Sequence, residues 1–300
     1  LQKLALLLTP ILSSLLFLFY GLPDERILKF IRIPELLLTF GFGGTLAYAG
    51  AVFQGTLKNP LAEPYTLGVA SGAGFGATLF SLLKLPIEAG ALTGGLVSVF
   101  LLLFAYTLFK DTLSILLFGV GISSLLSALI LFLYAILPAY SLQDALFFTL
   151  GYITPVSIKV SFILFLISLL FLIVLFFKSR SLDLLSLGDE TAFFSGIEVE
   201  RERLELLILS SIPISLFVSE CGIVGFVGIV IPHISRFLGF RVSMELLFSS
   251  YLIGASFLTL SQLLAKNLVP STVLPSGAVT AVLGVPFFLY VLWRYSGGRG

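Results

Sequence analysis

Side chains able to do acid–base, nucleophilic or metal chemistry are scarce in this sequence, and they are not grouped. The single histidine is His233, in the run IPHISR, and the single cysteine is Cys221. A metal site made of histidine and cysteine needs three or four such ligands. Neither residue makes one by count, and a lone cysteine forms no intramolecular disulfide. His233 is read as a hydrogen-bonding group at a helix break beside Arg236, with contact to a passing solute as the second reading. Glu220 sits in a long apolar run. A carboxylate at the centre of a bilayer costs about 2.5–3.5 kcal/mol on insertion scales. Glu220 therefore either stands at an interface or lines a pathway and meets a cationic solute. No GxxxxGK[ST] phosphate loop is present, so the chain holds no nucleotide by that means. No dyad or metal cluster marks it as an enzyme.

The elements that carry these residues are dictated by composition. Of 300 residues 58% are hydrophobic and 11% charged, with a net charge of +1. A water-soluble domain carries roughly 25% charged residues, so most of this surface must face lipid. Basic runs of the kind that bind nucleic acid are missing. Apolar segments of about 20 residues cross a bilayer as helices, because lipid offers no partner for a free backbone N–H or C=O. Continuous apolar runs place spans at 4–22, 34–56, 64–83, 87–109, 113–137, 155–178, 204–220, 222–240, 244–265 and 274–294. The expectation is an all-α polytopic membrane protein of about ten helices in one domain, residues 1–300. Pro213, Gly222, Gly225, Gly228 and Pro232 predict broken or short helices in the seventh and eighth spans. The run from Leu4 to Leu22 is too long for a signal-peptide core and is expected to be a retained helix. The chain opens at Leu1, which leaves room for a preceding piece.

Ten spans put both termini on one side. That side would hold Lys3, Lys58, Lys110, Lys178, Arg180, Arg201, Arg203, Arg236, Arg241, Arg294 and Arg299, which is 11 of the 17 basic residues. The excess predicts cytoplasmic termini. The same side carries the segment from Lys178 to Glu205, KSRSLDLLSLGDETAFFSGIEVERERLE, where charge is densest. Its leucines and phenylalanines predict short amphipathic helices and a docking surface for another protein. Spans 34–137 and 204–294 hold four each, in opposite orientation, and their interruptions correspond: GFGG and NPLAEP in one, GIVGFVG and IPH in the other. Inverted four-helix repeats follow as an expectation. Asn59 to Pro64 form a proline-bracketed turn, which either only joins two spans or lies near the inner end of a pathway. Gly41, Gly43, Gly44, Gly50, Gly72, Gly74 and Gly76 are read as helix-packing positions.

Five motifs occur in order along nearly the whole chain: RIPELLL at 32–38, GGTLAYAGAVFQGTLKNPLAEPYTLGVASGAGFGA at 43–77, GDETAFFSG at 188–196, GIVGFVGIVIPHISRFLG at 222–239 and LPSGAVTAVLGVPFFLYVLWR at 274–294. In combination they resemble the permeases for iron–siderophore, haem and vitamin B12 uptake, the FecCD-type membrane subunits of type II ABC importers. The resemblance implies a homodimer with its pore on the dimer axis in the prokaryotic plasma (inner) membrane. It also implies two ATP-binding cassette subunits on the cytoplasmic side and a soluble substrate-binding protein outside. Within it, Glu190, Ala192 and Gly196 match the cytoplasmic coupling loop (about 179–204), and Phe193, Phe194 and Ile197 would fill a cleft of the ATPase. A surface helix with a glycine C-cap is the plainer reading of the same residues. Arg26, Lys29, Arg32 and Lys266 would pair with acidic residues of the binding protein, or else snorkel to the interface. Glu35 stands where the family often has a second arginine. Glu220, His233 and Asn59 are the candidates for the pathway.

The leading expectation is therefore ATP-driven import by alternating access. The chain itself would bind no cofactor, and ATP and Mg²⁺ would belong to the partner. An ion-coupled secondary transporter is the reading from another class, and it would need mid-membrane carboxylates or histidines beyond Glu220 and His233. With no basic residue firmly inside a span, a bare oxyanion finds no counter-charge. A chelate that shields its metal fits better, ferric siderophore before cobalamin or haem.

Overall fold

The structure, a computed structural model, describes residues 2–65, 67–109, 112–269 and 272–297. Lys110 and Arg299, counted above among the basic residues of one side, lie outside them. The described residues are helical throughout their regular structure. In chain order the helices are α1 (Gln2–Phe19), α2 (Glu25–Ile27), α3 (Ile33–Thr56), α4 (Val69–Leu82), α5 (Ile87–Leu108), α6 (Thr112–Ile136) and α7 (Ala139–Thr149). Then come α8 (Ile158–Phe177), α9 (Ser179–Leu187), α10 (Asp189–Phe194), α11 (Val199–Cys221), α12 (Val227–Phe237), α13 (Ser243–Asn267) and α14 (Ser276–Gly297). A π-turn over Leu28–Arg32 joins α2 to α3 without a break.

Six helices are long and apolar enough to span a bilayer: Glu25–Thr56, Ile87–Leu108, Thr112–Ile136, Ile158–Phe177, Val199–Cys221 and Ser243–Asn267. Four shorter apolar helices accompany them, Leu6–Phe19, Val69–Leu82, Val227–Phe237 and Ser276–Tyr290. The protein is thus all-α and polytopic, with six full-length spans where about ten were expected. The span expected at 64–83 is trimmed because 57–68 is taken up by the proline-bracketed turn, and 222–240 loses its first five residues to a break.

Of the interruptions expected here, the one at Gly222 and Gly225 is present and the one at Pro213 is not. Pro213 lies inside α11, which stays continuous. Ser210, Ser211 and Ser215 donate to the carbonyls of Leu206, Leu207 and Ser211 at 2.8, 2.7 and 3.2 Å, so hydroxyls line this stretch and supply local partners. The chain opens at 222–226 instead, where Gly222 has φ 70° and Phe226, a non-glycine residue, has φ 68°. Left-handed backbone at a bulky residue persists only where its surroundings hold it.

The core is built around α3. Of its most apolar 18 residues 83% are buried, against 17% for α6, 28% for α8 and 33% for α5. Helix α3 is therefore wrapped by protein, and α6 presents its side chains outward. Close backbone approach makes this possible. A Cβ on Gly50 would stand 1.9 Å from the Gly228 carbonyl oxygen of α12, and one on Gly43 would stand 2.3 Å from that of Gly254 in α13. Only glycine fits at those crossings. Small residues replace the hydrophobic effect as the means of association between helices in lipid.

Candidate functional site

The densely charged segment folds as three short pieces at one end of the bundle. Helix α9 turns Leu182 and Leu185 into the core. Gly188, at φ 136°, then redirects the chain into α10. Helix α10 ends in a glycine cap: Gly196 has φ 81°, its N–H donates to Phe193 O at 2.9 Å, and Ile197 N–H donates to Ala192 O at 3.1 Å. This satisfies terminal carbonyls and reverses the chain. Ala192 is fully buried, and Ile197 packs inward against the core. Phe193 and Phe194 point out, 68% and 84% exposed, with Glu190 exposed beside them. Of the three apolar residues expected to enter a partner's cleft, the two phenylalanines are presented and Ile197 is folded under. A groove of about 530 Å³ runs along α10 between Phe193, Phe194 and Glu200.

Ion pairs fix this end. Lys178 bridges Glu202 and Glu205 at 3.0 and 2.6 Å, and Arg201 reaches Glu205 at 2.9 Å. The hydrogen bond to Glu205 holds the Lys178 ammonium above the usual lysine range. Arg203 is buried, 2% exposed. It donates from Nη2 to Asp189 Oδ1 at 2.5 Å and from Nε to the Thr56 carbonyl at 3.1 Å. Lys58 meets the same Asp189 oxygen at 2.7 Å. Burial alone would raise the Asp189 carboxyl, but Lys58 and Arg203 together hold it below the usual carboxylate range.

Above this lies the turn from Leu57 to Gly68. Asn59 accepts from Leu61 N–H at 2.9 Å through its side chain, an Asx turn that sets up the chain between the two prolines. Glu63 is buried, and its neighbour Tyr65 accepts a hydrogen bond from Val224 N–H at 3.1 Å, inside the break between α11 and α12. Burial pushes the Glu63 carboxyl up to about 8. Glu63 and Tyr65 line a cavity of about 520 Å³ with Ser71 of α4, Ser123 and Tyr134 of α6, and Thr149 of α7. Tyr134 and Thr149 hydroxyls are 2.7 Å apart. Hydroxyls recur along the wall, but most of the surface it exposes is apolar, from Ala70, Ile130, Leu131 and Ile223, and it opens on the outward face of α6.

The sequence-derived pathway candidates are not brought together. Asn59 lies in the turn. His233 accepts or donates at Nδ1 to Ile229 O, 2.7 Å away within α12, and its ring packs edge-on to Phe288. Glu220 stands in the last turn of α11, at the end of the bundle away from α10, half-buried and close enough to Glu88 to feel its charge. None of the three lines this cavity. Glu63 entered the sequence reading only as part of the Asn59–Pro64 turn, not as a candidate of its own. Its signal was an acid bracketed by prolines at the foot of two apolar helices.

At that far end Arg26 and Lys29 are exposed, while Arg32 stacks on Phe17 at 5.3 Å and reaches Tyr20 O at 3.4 Å. Lys266 is bound to Glu35, which is fully buried and also accepts from Gln262. Gln262 in turn donates to Ile153 O at 3.2 Å and accepts from Ser276. Glu35 thus fastens α3, α13 and the start of α14 to one another, and Lys266 serves that clamp. Among the described residues no three His, Cys, Asp or Glu side chains converge as a metal site.

Fold and site together define a multi-pass transport permease. Residues 7–294 match the model of the FecCD transport family. An ABC transporter permease protein of Bacillus subtilis, YvrB, is 36% identical over 286 residues, covering 91% of this chain and 81% of that one. The hemin transport system permease protein HmuU of Yersinia pestis is 32% identical, covering 88% and 82%. A solved inward-facing structure of a metal-chelate type ABC transporter superposes with TM-score 0.89 at 28% identity, over 97% of this chain and 98% of its own. The chain belongs to the FecCD transport family. It is the membrane-spanning permease of an ABC importer and not itself an enzyme.

Proposed function

We propose that the chain works as a homodimer that imports a metal chelate, most simply a ferric siderophore, by alternating access. Two ATP-binding cassette subunits dock at the α9–α10 end, which is the cytoplasmic side and holds both termini. An extracytoplasmic binding protein delivers cargo at the opposite end, where Arg26, Lys29 and Arg32 offer cations; Lys266 contributes less because Glu35 holds it. The four shorter apolar helices complete ten crossing segments, arranged as inverted repeats about the α9–α10 segment. The cavity on the outward face of α6 becomes one wall of the pathway when a second copy closes it. The membrane is the prokaryotic inner membrane, and the ATP and Mg²⁺ belong to the partner.

The observation that carries this reading is the exposed Phe193–Phe194 pair on a six-residue helix locked by Gly196, at the end where charge is concentrated. Two adjacent aromatic rings in water are costly unless a partner covers them. Cargo is less sharply constrained, since permeases of similar sequence are named for an iron chelatin in Helicobacter pylori, for hemin in Yersinia pestis and for vitamin B12 in Klebsiella pneumoniae. A wall that is mostly apolar, with hydroxyls interspersed, suits a chelate that brings its own charge balance. Gly196→Trp tests the docking. A Cβ at Gly196 meets nothing within 4 Å, so the indole projects into the partner's space and the cost to the fold is the left-handed backbone alone, about 1–2 kcal/mol. The variant is expected to reach the membrane and lose the ATPase subunit on co-purification. Full retention of the subunit would remove α10 from the docking role.

A further inference from the structure

Arg203 has a position that stability alone does not explain. It is a guanidinium side chain with almost no exposure, and its two acceptors belong to elements far apart in sequence. One is Asp189, the first residue of the exposed helix α10. The other is the carbonyl of Thr56, the last residue of α3, a group that the helix itself leaves without a partner. A guanidinium offers donors in a rigid fork and keeps its charge when buried, so it can hold both acceptors at a fixed spacing where an ammonium cannot. Thr56 runs directly into the turn that carries Asn59, Leu61 and Glu63, and Glu63 with Tyr65 walls the cavity. From the exposed phenylalanines to the cavity wall there is therefore a continuous series of contacts with two side-chain joints: Arg203, buried and tied to the end of α3, and the half-exposed Lys58, which meets the same Asp189 oxygen from the turn at 2.7 Å.

We propose that Arg203 is the positioning residue that couples the docking helix to the inner mouth of the pathway. Movement of α10 pulls Asp189, and Arg203 passes the displacement to the end of α3 and the turn that follows it. Helix α11, which carries Arg203, acts as the lever arm. This inference rests on the docking of an ATPase at α10 proposed above. It adds to that reading which side chain carries the signal and where the signal arrives.

The test uses the chain co-expressed and purified with its ATPase subunit. The substitutions Cys221→Ser and Leu61→Cys leave one thiol, at position 61 on the turn, where the native leucine is 45% exposed. Maleimide labelling at position 61 is timed without nucleotide and after trapping with ATP and vanadate. In this parent the two rates are expected to differ by about fivefold or more, the lower bound of ordinary allosteric coupling. Arg203→Met, which keeps the length without the fork, and Asp189→Ala, which empties the half-exposed end, should each bring the ratio near one while the ATPase stays bound. Arg203→Lys should give an intermediate ratio. Lys58→Met, which cuts only the parallel contact from Asp189 to the turn, should keep the parent ratio, and a ratio near one in that variant overturns the inference. If Arg203→Met fails to accumulate, Asp189→Ala read beside Lys58→Met decides. A ratio preserved in Asp189→Ala or Arg203→Met overturns the inference, as does a parent whose labelling ignores nucleotide although the ATPase is bound. If the parent binds no ATPase, the docking reading itself has failed and this one falls with it.

Discussion

At the scale of single residues, the informative side chains are the buried charges. Glu35 has no exposure, and its partners Lys266 and Gln262 come from α13. Removing Glu35 takes an acceptor from the buried Gln262 and leaves Lys266, 20% exposed, to turn toward water, at about 1–3 kcal/mol. Glu35→Ala should therefore lower the thermal midpoint in detergent, and more than Glu88→Ala at the rim. Glu63 gives a pH signature. Its folded pKa of about 8 lies above the ordinary glutamate value of 4.5, so the unfolded chain gives up that proton first as pH rises. The stabilisation is complete below the lower value and is lost as pH climbs through the upper one. Thermal stability should decline between about pH 5 and pH 8.5, and Glu63→Gln should flatten that decline. An identical slope in the variant would show the carboxyl to be ionised throughout. Asp189 behaves in the opposite sense. Its lowered pKa keeps its pairs with Arg203 and Lys58 charged at every physiological pH, so amide protection in α10 should not change between about pH 6 and pH 8.

At the scale of elements, the sequence reported the long helices well, because continuous apolar runs of about 20 residues have one solution in lipid. Of the breaks, it marked the one at Gly222 and Gly225 and over-read Pro213. Pro213 carried a stop signal, yet α11 continues through it among serines that back-bond within the helix. The real break lies further on, where Gly222 and Phe226 take left-handed backbone. The packing glycines were legible as a class, but not as pairs. That Gly50 faces Gly228 and Gly43 faces Gly254 depends on how α3 crosses α12 and α13, which sequence spacing does not contain. Gly50→Val would drive a side chain into the Gly228 carbonyl and is expected to cost about 3 kcal/mol or more, the upper range of overpacking. Wild-type expression and melting in that variant would mean that the two helices separate readily. Helix α10 was legible in GDETAFFSG down to its glycine cap. The inward turn of Ile197 was missed because a cap reverses the chain by backbone geometry, and a count of apolar residues cannot see that.

At the scale of the whole molecule, charge and apolar surface are distributed by end and by face. One end gathers Lys178, Arg201, Arg203 and their carboxylates around α10, and the other holds the Glu35 clamp and the exposed cations near Arg26. Between them α3 is enclosed and α6 is bare, an asymmetry that fits a chain completed by a second copy. An ATP-handling partner was legible only through the family resemblance of the five motifs. The cavity wall was not, because its hydroxyls come from α4, α6, α7 and the turn, and no single stretch of sequence displays them together. What separates an ABC permease from an ion-coupled carrier is where the energy for transport comes from. The most direct measurement reconstitutes this chain in liposomes with its ATPase subunit and binding protein, and follows radioactive iron supplied as a ferric hydroxamate, with radiolabelled cyanocobalamin and haem in parallel. Accumulation of one of these chelates that requires ATP, and that vanishes with Gly196→Trp, is the predicted result. Solute movement by this chain alone, driven by an ion gradient and indifferent to ATP, would contradict it.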